Sequence, residues 1–531
     1  MKKLIEFSDK RTGSEGFVLP ALISSMVALV IIILAVGTVI DANFSLVNTN
    51  NNSQKAFNIA EAGLNYYLWH LSHNPTDYKD GLTTPSTPNP TLGYGPYTHS
   101  YIDDNGISQG TYTLWIKPQG GGSSVVKVRS IAKTTGSNAI RTLEAQIGAP
   151  SFSSYAILAN SALWFGNTET ADGPIFSNQG IRMDGPNTDN VTSANSTYTP
   201  PSSLGGDGNS HPGVWCSLSV TSPVDCATRS TANWYYPAPL IDFNQISGTL
   251  CTIKKLAFAA DSLTSALANL SNACSQTPTT RTSAYIPQRS SSANASRGYL
   301  IDLNSNGTYN LYTVNNENDT QSNYSSALFT PTLVQNNITP VSDGIIFVED
   351  NVWVRTNPTF HGRLTIASGR LATSVSTNIK AADDIVYSTK NGDDALGLIA
   401  EGSVMIAPYA APASGSFTLE IDAAVIAQTG NVWFPSRYSF ASQICTKGYI
   451  DPGQQLSFYG SIAVRQIWTW SWLRGSACNN AVYDSSLGYY LSGFKYNITS
   501  YDYNLFYNPP PSFPITSSYN ILSWREVVDR P

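Results

Sequence analysis

Gly16-Phe17-Val18-Leu19-Pro20-Ala21-Leu22-Ile23-Ser24-Ser25-Met26-Val27-Ala28-Leu29-Val30-Ile31-Ile32-Ile33-Leu34-Ala35-Val36-Gly37-Thr38-Val39-Ile40 is the stretch on which the fold turns. From Phe17 to Ile40 it runs without a charge. As a helix it would be about 36 Å long, enough to cross a hydrocarbon core of about 30 Å with some tilt. Lys2, Lys3, Lys10 and Arg11 precede it and Asp41 follows it, so the amino end is expected on the cytoplasmic side. A cleaved secretory signal has a shorter apolar core and a small-x-small cut site. A plain membrane anchor is the alternative.

The junction itself carries a resemblance. A short polar leader, residues 1–16, meets the apolar run at Gly16-Phe17-Val18-Leu19-Pro20, and this is similar to the prepilin peptidase site of type IV pilins. The resemblance implies cleavage after Gly16, N-methylation of Phe17, and Pro20 in the first helical turn, where a missing N–H costs little. One position departs from the family. Ala21 stands where pilins usually carry the glutamate thought to meet a neighbouring subunit's terminal ammonium inside the membrane. A buried charge needs a partner, so a chain without that carboxylate suits the first-assembled, tip position.

Further along, Ala56-Phe57-Asn58-Ile59-Ala60-Glu61-Ala62-Gly63-Leu64 resembles the alanine-glutamate-alanine segment of PilX-type minor pilins. Phe57, Ala60, Leu64, Tyr67 and Leu71 recur at 3-4-3-4 spacing, one apolar stripe on a helix, and Asn74-Pro75 ends it. A single helix from Phe17 to Ser72 would measure about 84 Å, its lower half in membrane or filament core and its upper half on a sheet. Thr111–Ile116, Val125–Ile131 and Arg141–Ile147 alternate as strands around Gly120-Gly121-Gly122. The expected plan is thus a leader at 1–16, a transmembrane and packing helix at 17–73, and a small antiparallel sheet module at 74–149.

The rest reads as strands. Only 12% of the 531 residues are charged, about half the usual share, and Ser, Thr, Asn, Gly and Tyr stand in their place. Five segments repeat a small residue, a short aliphatic run, a turn and a second aliphatic alternation. They begin at Gly173, Gly344, Gly397, Ala423 and Gly460 and end in Met183, Val354, Ile406, Phe434 and Thr469. The reading is an α+β chain whose large mostly-β part is a right-handed β-solenoid, with a β-sandwich as the alternative. It divides into a β-rich region with a helical insertion at 150–343 and a solenoid-like domain at 344–531.

All six cysteines lie beyond residue 215 and none forms a CxxC, which points to an oxidising, extracytoplasmic compartment. Local loops favour Cys216 with Cys226 and Cys445 with Cys478. Cys251 and Cys274 lie too far apart to bond if one continuous helix joins them, and close together if Asp261-Ser262 caps a second helix.

No metal or cofactor is expected, and no enzyme motif occurs. Asp302-x-Asn304-x-Asn306-Gly307 opens like a calcium loop, but Thr313 replaces the closing glutamate and Asn306-Gly307 signals a hairpin. Asp383-Asp384 and Asp393-Asp394 are either turn residues or paired acids of a polysaccharide-cleaving groove. Trp468, Trp470 and Trp472 alternate, so as one strand they would share a face able to stack on a sugar or anchor a protein. The net charge of −6 argues against nucleic acid. The resemblance implies a filament subunit: other pilins and prepilin peptidase as partners, the inner membrane before assembly, the cell exterior after it, and a surface glycan or protein as ligand. An anchored polysaccharide-acting enzyme and an uncleaved single-pass surface protein are the alternatives.

Overall fold

The computed structural model describes residues 18–74, 77–82, 87–118, 125–166, 169–170, 172–217, 231–260, 274–289, 297–317, 329–407, 410, 417–434, 448–449, 454–474, 482–484, 489–494, 496–516 and 519–528. The chain opens with one 56-residue helix, α1 (Val18–His73). Ala56, Ile59, Ala60, Gly63, Leu64, Tyr67, His70 and Leu71 are buried, all in its upper part. They fall on one stripe, as a helix of 3.6 residues per turn requires. Phe57 flanks that stripe and is half-buried.

The stripe packs on an antiparallel meander: β1 (Tyr94–Ile102), β2 (Ser108–Pro118), β3 (Val125–Thr134) and β4 (Ile140–Gly148). Leu114, Ile116, Val126, Val128, Leu143, Ala145 and Ile147 face the helix and are fully buried. Contact is close at Gly63, where a Cβ would lie 2.4 Å from Ser130 Oγ and 2.9 Å from the Tyr112 ring. The three strands expected from alternation fall inside β2, β3 and β4. A fifth strand comes from the far end of the chain, Asn520–Glu526, which pairs antiparallel with β4.

Beyond Ala149 the pairing becomes parallel. Ile157–Ala159, Ile175–Ser177, Val191–Ser193 and Trp234–Tyr235 stack outward in order. The chain then crosses to the opposite end. There Tyr285–Ile286, Ile345–Val348, Arg363–Ser368, Ala395–Ala400, Phe417–Ala427 and Gln454–Val464 stack back inward, and the last pairs with Ile157–Ala159. Tyr496–Tyr501 pairs with Gln454–Val464 off this path, and the eleven-stranded sheet is therefore assembled from both ends and closed in the middle.

A second parallel ladder follows the turn after most of the later strands: Gly298–Asn304, Asn351–Asn357, Ile379–Ala381, Val404–Ile406, Val432–Trp433 and Trp468–Thr469. Leu163–Phe165, Ile181–Met183 and Val214–Trp215 form its counterpart beside the earlier strands. All five repeated segments sit this way, the first aliphatic run in the long sheet and the second in a shorter ladder. The faces between the ladders form one continuous core from Ile157 to Phe494.

The turns are hydrogen-bonded from one repeat to the next. Asn378 N donates to Asn351 Oδ1 at 3.0 Å, Ser403 N to Asn378 Oδ1 at 2.8 Å, Asn431 N to Ser403 Oγ at 3.0 Å and Ile467 N to Asn431 Oδ1 at 3.0 Å. Side-chain acceptors thus satisfy the backbone donors that a tight turn leaves over. This explains a composition rich in Asn and Ser and poor in charge.

The helix α2 (Gln245–Ala260) lies on the long sheet through Ile246, Leu250, Ile253, Ala257 and Phe258. Its described residues run to Ala260, and Cys251 is disulfide-bonded to Cys274 with the Cα atoms 5.3 Å apart. That corrects the continuous-helix alternative, in which the two could not meet. Cys216 is also disulfide-bonded, whereas Cys226, Cys445 and Cys478 lie outside the described residues. At Asn306-Gly307 the chain makes the hairpin: Gly298–Asn304 pairs antiparallel with Tyr309–Glu317, and Asp302 is ion-paired to Arg355 at 3.0 Å.

Candidate functional site

The lower half of α1 is a long uncovered apolar surface. Every residue from 18 to 51 is exposed, including Val18, Leu19, Met26, Ile31, Ile32, Ile33, Leu34, Phe44 and Leu46. Monomeric soluble proteins rarely leave so long an apolar stretch bare. The helix is long and apolar enough to cross a membrane. The hydroxyls between residues 18 and 40 are satisfied within it: Ser24 donates to Ala21 O, Ser25 to Leu22 O and Thr38 to Ala35 O, at 2.8–2.9 Å. Such back-bonding suits a helix in a medium that offers no hydrogen bonds.

Pro20 and Ala21 lie in the first turns, both exposed; Gly16 and Phe17 lie outside the described residues. Glu61 is exposed on the side of α1 away from the sheet. The first carboxylate of the described helix is Asp41, so its first five turns offer a neighbour no anionic partner.

Where the buried half ends, two histidine–carboxylate contacts fix the following loop, a feature the sequence hid. His70 Nε2 lies 3.1 Å from Asp77 Oδ2 and His99 Nε2 lies 2.7 Å from Asp80 Oδ2. Tyr66 donates to Asp80 Oδ1 and Tyr67 to Asp77 O, each at 3.0 Å. Burial, with the Asp80 carboxylate beside it, pushes Tyr66 up to about 12. For Asp77, burial opposes ionisation, but donation from Lys79 N and Gly81 N outweighs it and holds the pKa below the ordinary aspartate value. His73, by contrast, bonds the carbonyl of Trp69. Among the described residues no group of three or more His, Cys, Asp and Glu side chains is placed to hold a metal ion.

The tryptophans do not share a strand face. Trp468 ends one ladder, the chain bends at Trp470, and Trp472 belongs to another strand, Ser471–Arg474. Trp470 is buried against Phe458, Trp468 touches Phe165, and Trp472 meets Trp433 edge-on while donating to Phe434 O at 3.0 Å. All three pack; none forms the open stacking row expected from alternation, because the bend breaks the period of two.

The acidic pairs close turns. Asp394 accepts from Gly362 N and Thr389 N at 2.7 Å and contacts His361 at 2.8 Å, and Asp384 accepts from Glu420 N at 2.9 Å.

No protein-family model matches the chain, and no curated protein matches it. Among solved structures, the chain is similar to the competence-associated pilin ComZ from Thermus thermophilus, at 13% identity and a TM-score of 0.27 over 90% of this chain and 98% of that one. At that score the likeness assigns neither fold nor function.

Proposed function

We propose that the chain is a minor, tip-located subunit of a type IV pilus or related filament, of the PilX type, and not an enzyme. It holds its large β-domain outward for adhesion or to initiate assembly. The observation that carries the reading is the division of α1. One continuous helix packs a sheet with its upper half and leaves an apolar lower half bare, which is what a subunit needs to sit first in a bilayer and then among the helices of its neighbours. The Gly16-Phe17 junction supports processing by prepilin peptidase. The bonded Cys251 and Cys274 support an oxidising compartment outside the cytoplasm.

The two parallel ladders and their asparagine corners support a β-solenoid over a sandwich, and parallel crossovers favour the right-handed form. Two features support the tip. Ala21 leaves no carboxylate to neutralise an earlier subunit's terminal ammonium, which only the first-assembled subunit can do without, and the domain beyond residue 149 is bulky beside a helix-and-sheet module of ordinary size. The site of a glycan or protein ligand belongs on the outer face of this domain, away from the three tryptophans, of which Trp470 is buried and Trp468 and Trp472 pack against neighbouring rings. Immunogold labelling with antibody to the β-domain tests the reading. One or a few particles at filament ends are expected. Label along the shaft defeats the tip placement, and protein confined to the membrane with bare filaments defeats the filament role.

A further inference from the structure

Two chain segments join the helix-and-sheet module to the β-domain, and they run side by side. One leaves β4 through Ala149 and Pro150; the other returns through Pro514, Ile515 and Thr516. Phe152 N donates to Pro514 O at 2.9 Å, Thr516 N donates to Pro150 O at 2.7 Å, and Ser151 bridges Ile515. Past the crossing, Asn520–Glu526 adds to β4 from Gly148 to Leu143. Tyr519 is buried in the core of the module and Ile521 packs partly against it.

Side chains then tie this last strand to α1. Arg141 donates to Ser53 Oγ at 2.7 Å, lies 5.5 Å from the Phe57 ring centroid, and grips Glu526 with two nitrogens, one at 2.7 Å. Trp524 meets Phe57 edge-on at 6.0 Å. Arg525 donates to Glu144 at 2.8 Å, and Lys127 reaches the same carboxylate at 2.9 Å. Two-pronged arginine–carboxylate pairs add direction as well as attraction.

We propose that the C-terminal strand is a clamp, locked by Arg141, that fixes the β-domain in one orientation on α1. With the strand in place the domain is held at two neighbouring points and cannot swing. Without it the covalent crossing at 149–151 is a single tether, about which the domain rotates. Because Gly148 lies opposite Asn520, a pull on the domain loads both strands from the same end. The non-covalent strand is then sheared along β4, so its ladder bonds share the load instead of opening one at a time.

Double spin labelling of the full chain in detergent tests this, with one label at Glu61→Cys on the exposed side of α1 and one at Val375→Cys, exposed on the β-domain. The intact chain is expected to give one narrow distance distribution. Deleting residues 520–531 is expected to broaden it at least twofold with the Cys251–Cys274 bond retained. Arg141→Glu is expected to broaden it, and Arg141→Glu with Glu526→Arg to narrow it again. If the deletion unfolds the domain, the charge-swap series decides. Equal widths in the parent, the single variant and the swap would overturn the clamp, as would an unchanged width in a folded deletion.

Discussion

Gly63→Ala isolates the contact on which the division of α1 depends. On helix propensity alone the change should stabilise by about 1 kcal/mol. The structure opposes it: the new methyl would lie 2.4 Å from Ser130 Oγ and 2.9 Å from Tyr112 Cδ2. Ser130 is fully buried on β3 and the Tyr112 ring is buried against His99, so neither can step aside cheaply. Overpacking of this kind costs about 1–3 kcal/mol, leaving a net loss of up to about 2 kcal/mol once propensity is credited. Ser130 Oγ has no hydrogen-bond partner among the described residues, so Ser130→Ala removes the nearest obstacle at little cost. Gly63→Ala with Ser130→Ala should recover about half the loss. Hydrogen exchange in peptides covering 56–71 and 110–132 of the detergent-solubilised chain reads the effect. Exchange should quicken by up to roughly thirtyfold in the single variant and partly slow again in the double, with Glu61→Ala as an exposed control. Slower exchange in Gly63→Ala would mean that α1 does not lie on the sheet at this distance.

Two further outcomes follow from charge. Lys254 of α2 is fully buried, ion-paired to Glu349, and donates to Gln276 O at 2.6 Å. Burial pushes the lysine pKa down and the glutamate pKa up. Lys254→Met should cost about 3–5 kcal/mol in thermal or denaturant unfolding because it strands a buried carboxylate, and adding Glu349→Leu should restore most of it; equal losses in single and double variants would contradict this. At the C-terminal strand, the hydrogen bond from Arg141 holds Glu526 below the ordinary glutamate value, and donation from Lys127 and Arg525 does the same for Glu144 against the effect of burial. Lowered carboxylate pKa values give stability above the unfolded value that is lost as pH falls through the folded one. Protease sensitivity of the last strand should therefore rise below about pH 4 and stay flat from pH 6 to 8.

What the sequence disclosed follows from the range of the forces involved. The charge-free run from Phe17 to Ile40 and the stripe ending at Leu71 are local patterns, and both ended up in one helix because nothing between them breaks it. Each paired aliphatic run after Gly344 likewise carries its own turn, so the strands were legible one by one. Their order was not. The pairing of Ile462 with Ile157 closes the long sheet across 305 residues, and Asn520–Glu526 joins β4 across a similar span. Neither contact leaves a periodic mark in the chain. His70 and His99 found carboxylates 7 and 19 residues away through a loop, a spacing no motif encodes, while the tryptophan row was lost to a single bend at Trp470.

Mass spectrometry of the native amino terminus tests the central claim most directly. A filament subunit of this kind should begin at an N-methylated Phe17, with residues 1–16 gone. A chain that retains Met1 in the membrane would contradict the account.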